Sequence, residues 1–446
     1  GGKHDYVHER PAPMRNFIMN ATEPALSGPR ARVGFVGQGG ASVYIVNNPQ
    51  ENRKSLYNYV MAYEILTWLF FLLTVAGGIY SILALVSVLG AGGAGRTEGQ
   101  ASRGLPGVSI LKPLSGADEG LKENLASFCR QDYPDYEVLL GLRDEGDAAW
   151  PVALELKRMF PRLVRIVITG EDLGANRKVS NLQGLQENAR HDLVAVSDSD
   201  MRVGSDYLKT VVPEYLGRED AGLVTSLYRI SGPVSAGAAL ESLTIALDFI
   251  PAVLAARRLE GSISFGLGAS MLFSRAKFEE TGGFRAIADY LADDYQLGHR
   301  LWRKGHRIVL SKYVMEDVAG RMDVREYFLH QLRWARTYRA SRPKGYLGYG
   351  VTHVFTWALL FFALRPGPLS LLALVSALAL RLLTGIAVNG KFIGRRGWLK
   401  WLFLLPAKDV VGFGIWALSF AGRKVAWRGG LYRVTRTGEL LQVSKK

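Results

Sequence analysis

The chain has 446 residues, 55 Lys and Arg against 40 Asp and Glu, a formal charge of +15 and 48% hydrophobic residues, with a mean hydropathy of +0.07. This apolar content excludes a disordered chain, and a soluble protein so basic has a negative mean hydropathy, so a polar domain joined to a few long apolar helices is expected. The single cysteine, Cys129, excludes an intrachain disulfide and a cysteine-based zinc site, and a basic excess with no nucleic-acid-binding signature points away from nucleic acid and toward an anionic membrane surface or a phosphate-bearing substrate.

Residues 1–58 show no clear periodicity and carry Pro11, Pro13, Pro24, Pro29 and Pro49. They are expected to be a flexible extension, and the sequence from Met61 onward reads like an amino terminus. Met61 to Leu89 holds one charge, Glu64. That run exceeds the roughly 20 residues that span a bilayer, and the core of a signal peptide, so 59–90 is expected to be a transmembrane helix. The Gly-rich stretch within 91–105 reads as a linker.

From 106 to 345, short apolar runs alternate with amphipathic stretches. Strands are expected near 108–111, 137–142, 164–169, 193–197 and 222–226, and helices near 121–129, 149–159, 181–188 and 207–215. This alternation predicts an α/β domain with a mainly parallel sheet, which binds ligands at the carboxyl ends of its strands. The apolar stretch 237–259 contains Glu241, Asp248, Arg257 and Arg258; it reads either as an interfacial helix that admits lipid or as a buried core helix.

After 345, three strongly apolar segments follow, at 351–364, 369–388 and 401–421, the first two joined by the turn Arg365-Pro-Gly-Pro368. Lys408 and Asp409 interrupt the third; a charge pair is costly in lipid, so it should face protein or mark a break. The loop with Lys391, Arg395, Arg396 and Lys400 and the basic tail 423–446 both read as cytoplasmic by the positive-inside rule. Three full crossings would part the tail from the α/β domain. A hairpin over 351–388 followed by a re-entrant or interfacial 401–421 is therefore expected, with 346–422 as the C-terminal membrane helices.

Leu193-Val-Ala-Val-Ser-Asp198-Ser-Asp200 reads as a strand ending in Asp-x-Asp. Two such carboxylates at a turn can hold Mg2+ or Mn2+ and leave metal positions for phosphate oxygens; the alternative is a turn with a helix cap. Ala292-Asp293-Asp294-Tyr295 opens an amphipathic helix, as a general base for an acceptor hydroxyl or as a cap. Gln331-Leu-Arg333-Trp334-Ala-Arg336 suits a diphosphate grip or an interfacial helix with snorkelling side chains. Asp118 and Asp144 follow the first two strands, and either carboxylate can accept the N3–H of a uracil ring or serve a turn. Lys178 can neutralise a phosphate or be simply solvated. Gly266-Leu-Gly268 lets backbone approach a ligand or makes a turn.

In order, Leu111-Lys-Pro-Leu-Ser-Gly-Ala-Asp118, Phe128-Cys-Arg-Gln-Asp-Tyr-Pro134, Asn176-Arg-Lys178-Val-Ser-Asn181-Leu, Ser197-Asp198-Ser-Asp200, Leu291-Ala-Asp-Asp294-Tyr and Leu332-Arg333-Trp334 resemble membrane-bound glycosyltransferases of the A-type, family-2-like fold. The likeness is closer still to the ceramide glucosyltransferase family, glycosyltransferase family 21, over about residues 106–340. Asp118, Asp198 and Asp294 match the family's three Asp positions, and Arg333 and Trp334 the end of its (Gln/Arg)-x-x-Arg-Trp signature. The first signature position falls on His330, Gln331 comes one residue late, and Thr225 stands where animal ceramide glucosyltransferases carry a His. Bacterial hopanoid-modifying sugar transferases share nearly all these motifs.

The resemblance implies an A-type α/β fold, an integral membrane protein of the bacterial inner membrane with a cytoplasmic catalytic domain, and a UDP-sugar donor. Asp118 and Asp144 would bind the uridine, Lys178, Arg333 and Trp334 the diphosphate, and Asp198 and Asp200 the Mg2+ or Mn2+. Asp294 would take the proton of a lipid hydroxyl, and a single displacement would invert the anomeric centre. The implied acceptor is ceramide, with a hopanoid as the alternative, or a growing polysaccharide if the chain were a processive synthase.

Overall fold

Strand β1 (Val108–Pro113) is buried at every position, as a strand covered on both faces must be. In the computed structural model, which describes residues 49–92, 104–230, 232–318, 320–427 and 430–443, β1 pairs in parallel with β2 (Tyr136–Leu142) and β4 (Leu193–Val196), and β2 with β3 (Val164–Ile168). The expected extension 1–58 therefore falls largely, and the linker mostly, outside the described residues.

β5 (Met201–Arg202), β6 (Ala221–Ile230), β7 (Met271–Ser274) and β8 (Arg307–Asp317) complete an eight-stranded sheet in the order β3-β2-β1-β4-β7-β6-β8-β5. β6 and β8 are parallel, whereas β7 runs antiparallel to both β4 and β6, and β5 antiparallel to β8. The sheet is thus mixed and mainly parallel, with helices on it, and the expected strands and helices of 106–226 are present within a few residues. β5, β7 and β8 are additions to that expectation.

The carboxyl ends of β1, β2 and β4 lie along one edge. Asn181, in the helix Arg177–Glu187, donates to the carbonyls of Gly141 (2.9 Å) and Leu114 (3.4 Å) and ties that edge together. Only a glycine fits at 141, because a Cβ there would sit 1.9 Å from Asn181 Oδ1.

The chain divides into units Gly1–Ala62 and Tyr63–Lys446. The helix Pro49–Gly90 begins in the first and ends in the second, some ten residues earlier than the hydropathy alone suggests. Among the described residues, four helices are long and apolar enough to cross a membrane: Lys54–Gly90, Ala236–Glu260, Pro368–Ile393 and Arg396–Ser419; Pro343–Thr352 and Val354–Leu364, bent by 56° at their break, pass the same test when taken together as one broken span. Ala236–Glu260 is 78% buried within the protein, against 22–28% for the other three, so it is a core helix rather than an open interfacial one. Along Pro49–Gly90, Trp68, Leu72, Ile79 and Ile82 are exposed as lipid-facing residues are. Thr67, Thr74, Ser81 and Ser87 each donate to the carbonyl four residues back, which satisfies their hydroxyls without water.

Lys408 and Asp409 face protein. Arg381 contacts Asp248 (2.6 Å) and Asp409 (2.6 Å), and Lys408 contacts Asp248 (2.5 Å) and Asp409 (2.9 Å). Two cations and two anions cancel, and Arg381 also donates to the Leu247 carbonyl at 2.8 Å. This network joins the core helix to two of the C-terminal apolar helices. Beyond them, the expected basic tail is an antiparallel sheet of β9 (Lys424–Trp427), β10 (Gly430–Val434) and β11 (Leu440–Gln442).

Arg381→Met leaves two carboxylates facing one ammonium. It is expected to cost about 3–5 kcal/mol and to lower the thermal unfolding midpoint in detergent; an unchanged midpoint would remove the network from the fold's support.

Candidate active site

The loops at the carboxyl ends of β1, β2 and β4 open into a cavity of about 960 Å³. Asp198 and Asp200 follow β4, and Asp293 and Asp294 begin the helix Asp293–Arg303. The fold brings these four together with Lys178, which sits in the first turn of the helix Arg177–Glu187. Its ammonium contacts Asp198 Oδ1 at 2.7 Å and Asp293 Oδ2 at 2.9 Å. Burial alone would lower the Lys178 pKa, but Asp198 and Asp293 outweigh it and hold the amine above its ordinary value.

Asn176 caps this helix by accepting from the N–H of Lys178 (3.0 Å) and of Val179 (3.2 Å). Its amide donates to the Tyr290 carbonyl at 2.7 Å, which couples the lysine's helix to the segment that leads into Asp293.

Asp294 accepts from the backbone N–H of Gly268 (3.0 Å) and of Tyr295 (2.7 Å). Burial, then Asp293, raises its pKa to about 6. A Cβ on Gly268 would stand 2.9 Å from Asp198 Oδ2 and 3.4 Å from Asp294 Oδ2, so the two carboxylates flank one small gap that glycine keeps open. Thr225, fully buried, holds that loop by accepting from Leu267 N–H (2.9 Å) and donating to the Ser270 carbonyl (2.7 Å).

Asp200 Oδ1 is buried with no hydrogen-bond partner, and burial, then Asp198, raises the Asp200 pKa to about 6. Two further charges complete the cluster, and neither is evident from sequence as a site residue. Lys112, the next-to-last residue of β1, is fully buried and donates to Ser197 Oγ at 3.3 Å and to the Asp198 carbonyl; burial pushes its pKa down to about 7 against Asp200 and Asp198. A charged residue inside an apolar strand is the signal that marks it. Asp317 ends β8 opposite Met201; burial, then Asp200, Glu241 and Asp198, raise its pKa well above the usual range.

Asp144, Arg333 and Trp334 line the cavity as well. Asp144 is exposed at its rim, where Oδ1 accepts from Gly146 N–H at 2.9 Å. Asp118 is exposed and outside the lining, whereas Asp147 is within it and fastens the β1 and β2 loops through Gly116 N–H and Ala149 N–H, both at 2.9 Å. Trp334 packs against His330, centroids 4.9 Å apart. Buried Glu241 receives Gln331 Nε2 on both oxygens, at 2.9 and 2.8 Å, with His330 Nδ1 at 3.2 Å. Beyond this cluster the cavity turns apolar along Phe249, Ala252, Val253 and Ala256 of the core helix, and reaches Tyr346 and Tyr349.

Among the described residues no group of three or more His, Cys, Asp or Glu has the arrangement of a metal cage. Magnesium-type sites rarely need one, since one or two carboxylates with water and substrate phosphates suffice. Asp198 and the orphaned oxygen of Asp200 fit that demand.

The family model described as "Glycosyl transferase family 21" matches residues 69–440. Ceramide glucosyltransferases 3 and 1 of Caenorhabditis elegans are each 28% identical over 240 residues, covering 54% of this chain and 52% and 51% of theirs. The chain thus spans about half the length of these curated relatives. A ceramide glucosyltransferase of Gibberella zeae is 22% identical over 453 residues, covering 75% of this chain and 85% of that one. Among solved structures, a mannosyltransferase, PcManGT from Pyrobaculum calidifontis in complex with GDP-Man and Mn2+, is 18% identical, covers 78% of this chain and 97% of that chain, and has a TM-score of 0.46.

Gly268→Ala is expected to leave the unfolding midpoint within a few degrees, because the methyl meets the far ends of side chains. It should cut affinity for a nucleotide sugar at least tenfold by displacing Asp198, a shift of about 1.4 kcal/mol. Undiminished affinity would show that the gap at Gly268 is not part of the site.

Proposed function

The chain belongs to glycosyl transferase family 21, and from that premise we propose that it moves a hexose from a UDP-sugar to the hydroxyl of ceramide, with inversion. One observation carries this reading. A single cavity begins at loops rich in charge, passes a cluster of aspartates and a buried lysine, and ends along apolar and aromatic side chains of helices that adjoin the membrane segments. A donor with a diphosphate and an acceptor with an alkyl chain both find a matching environment there. The names of the relatives support ceramide as the acceptor.

In this reading Asp144 meets the uridine at the rim, and Lys178 and Arg333 face the diphosphate. Lys178 already neutralises two carboxylates, so it exchanges part of that contact for the phosphates. Asp198 and Asp200 would hold Mg2+ or Mn2+, whose charge, when bound, offsets that on the departing UDP. The cluster accounts for no uridine role for Asp118, which is exposed outside the lining.

Asp294 is the base. Two backbone N–H groups fix its carboxylate, and its raised pKa makes it a better proton acceptor than an ordinary aspartate. It takes the proton of the lipid hydroxyl while that oxygen attacks the anomeric carbon from the face opposite UDP. One displacement needs one base and no carboxylate nucleophile.

The membrane arrangement that fits places the α/β unit and the segment after Gly422 on one side. The packing of β9–β11 against Asp289–Leu291 supports this, and the basic loop at Lys391–Lys400 supports that side being cytoplasmic.

Asp294→Asn is expected to abolish transfer while UDP binding stays within about twofold, as measured by glycolipid formation and by calorimetry; surviving turnover would take the base role from Asp294. In the unmodified chain the base works only when ionised. The elevated pKa therefore predicts that kcat/KM falls as pH drops through about 6; a profile flat down to pH ~4, the ordinary aspartate value, would contradict it. Excess chelator should stop transfer and restored Mg2+ or Mn2+ revive it; full rate in chelator would strike the metal from the scheme.

A further inference from the structure

The residues after Gly422 form part of the pocket itself. Trp427 of β9 and Tyr432 of β10 line the same cavity as Lys178 and Asp294, with ring centroids 6.4 Å apart. Tyr432 is buried with Val425, Val434 and Leu440 against Leu291, and Ala175, Ala340 and Trp427 pack at the edge of this cluster. Ala175 immediately precedes Asn176-Arg177-Lys178, and Leu291 lies two residues before Asp293. The small sheet therefore stands beside both segments that carry the polar machinery.

It is also fastened there by main-chain bonds. Leu440 N–H donates to the Asp289 carbonyl at 2.6 Å, and Leu291 N–H to the Gly438 carbonyl at 3.3 Å. From another side, Arg336 and Arg339 donate to the carbonyls of Lys424 (2.5 Å) and Gly422 (2.6 Å). Both arginines belong to the helix Val324–Ser341, which also carries Arg333 and Trp334.

We propose that β9–β11 are the sugar-facing wall of the donor pocket, with Trp427 and Tyr432 forming the surface on which the hexose ring packs. The proposal rests on the donor reading above. With the uridine at the Asp144 rim and the diphosphate at Lys178, the next unit of the donor reaches the stretch flanked by Leu291 and Asp294, where this aromatic pair stands. A hexopyranose presents an apolar C–H face that suits the face of an aromatic ring. An epimer with a hydroxyl turned into the rings buries that group without a partner, so the wall discriminates among sugars as well as binding them. The motifs of the α/β unit then provide the chemistry, and the segment after the last apolar helix helps choose the sugar.

The test compares the full chain with Trp427→Ala and Trp427→Phe, in detergent or nanodiscs, on UDP-glucose, UDP-galactose, UDP-N-acetylglucosamine and UDP alone. The expected result for Trp427→Ala is a loss of about five- to tenfold in affinity for the preferred UDP-sugar. Its affinity for UDP should be unchanged, the preference among the three sugars should narrow, and Trp427→Phe should largely restore both. An equal loss for UDP and UDP-sugars, or an unaltered preference with unaltered affinity, would overturn the proposal and leave the sheet a packing element. If the unmodified chain binds UDP-sugars and transfers none to ceramide, the acceptor reading fails while the sugar increment in binding still decides the role of the wall.

Discussion

Carboxylates gathered in one pocket repel one another, and much of the site's construction answers that repulsion. Lys178 bridges Asp198 and Asp293, Lys112 donates to the Asp198 carbonyl, and backbone N–H groups hold Asp294. Burial first, and then the neighbouring carboxylates that these donors do not fully offset, raise the pKa values of Asp200, Asp294 and Asp317. A cluster in that condition favours added positive charge, and it holds a carboxylate ready to accept a proton. Both properties suit the transfer of a sugar away from a diphosphate.

A second constraint is that the parts of this site come from distant stretches of chain and must hold one geometry. The hub is Ala288–Leu291. Asn176 N–H donates to the Ala288 carbonyl and its side chain to that of Tyr290, Ala175 N–H reaches Asp289 Oδ1, and Leu440 pairs with the Asp289 carbonyl. The lysine, the base and the small sheet are thus referred to one short segment. The buried quartet of Asp248, Arg381, Lys408 and Asp409 does the same for the apolar helices, fixing the core helix whose other residues line the cavity.

The first half of the α/β unit was legible in the sequence because its strands are continuous apolar runs between amphipathic helices, and because Asp-x-Asp and Asp-Asp-Tyr fall where such folds put ligands. β8 was not. Its apolar run is broken by Ser311 and Lys312, and its pairing with β6 is bulged; Asp317 joins the site through the register of β8 with β5 and β6. β9–β11 are only three to five residues long and lie in a basic stretch, so local pattern reads them as a tail; their pairing with one another and the bridge of Glu439 to Tyr290, some 150 positions earlier, define them. Lys112 was visible as a residue but not as a neighbour of Asp198. Asp118 fits a motif position, yet its loop turns it to solvent. In each case the missing information was which distant backbone lies alongside.

The pairing of Leu440 with Asp289 also bears on how the protein is made. Asp289–Leu291 emerges from the ribosome well before the apolar helices Pro368–Val388 and Leu405–Ser419, but its partner strand follows them. In the membrane arrangement proposed above, the pocket therefore stays open on one flank until those helices have entered the bilayer and the chain beyond them has returned to the α/β unit. With β9–β11 as the proposed sugar-facing wall, competence to bind sugar would in this way be tied to completed insertion, and an intermediate arrested short of it would display the aspartate cluster without the surface that finishes it.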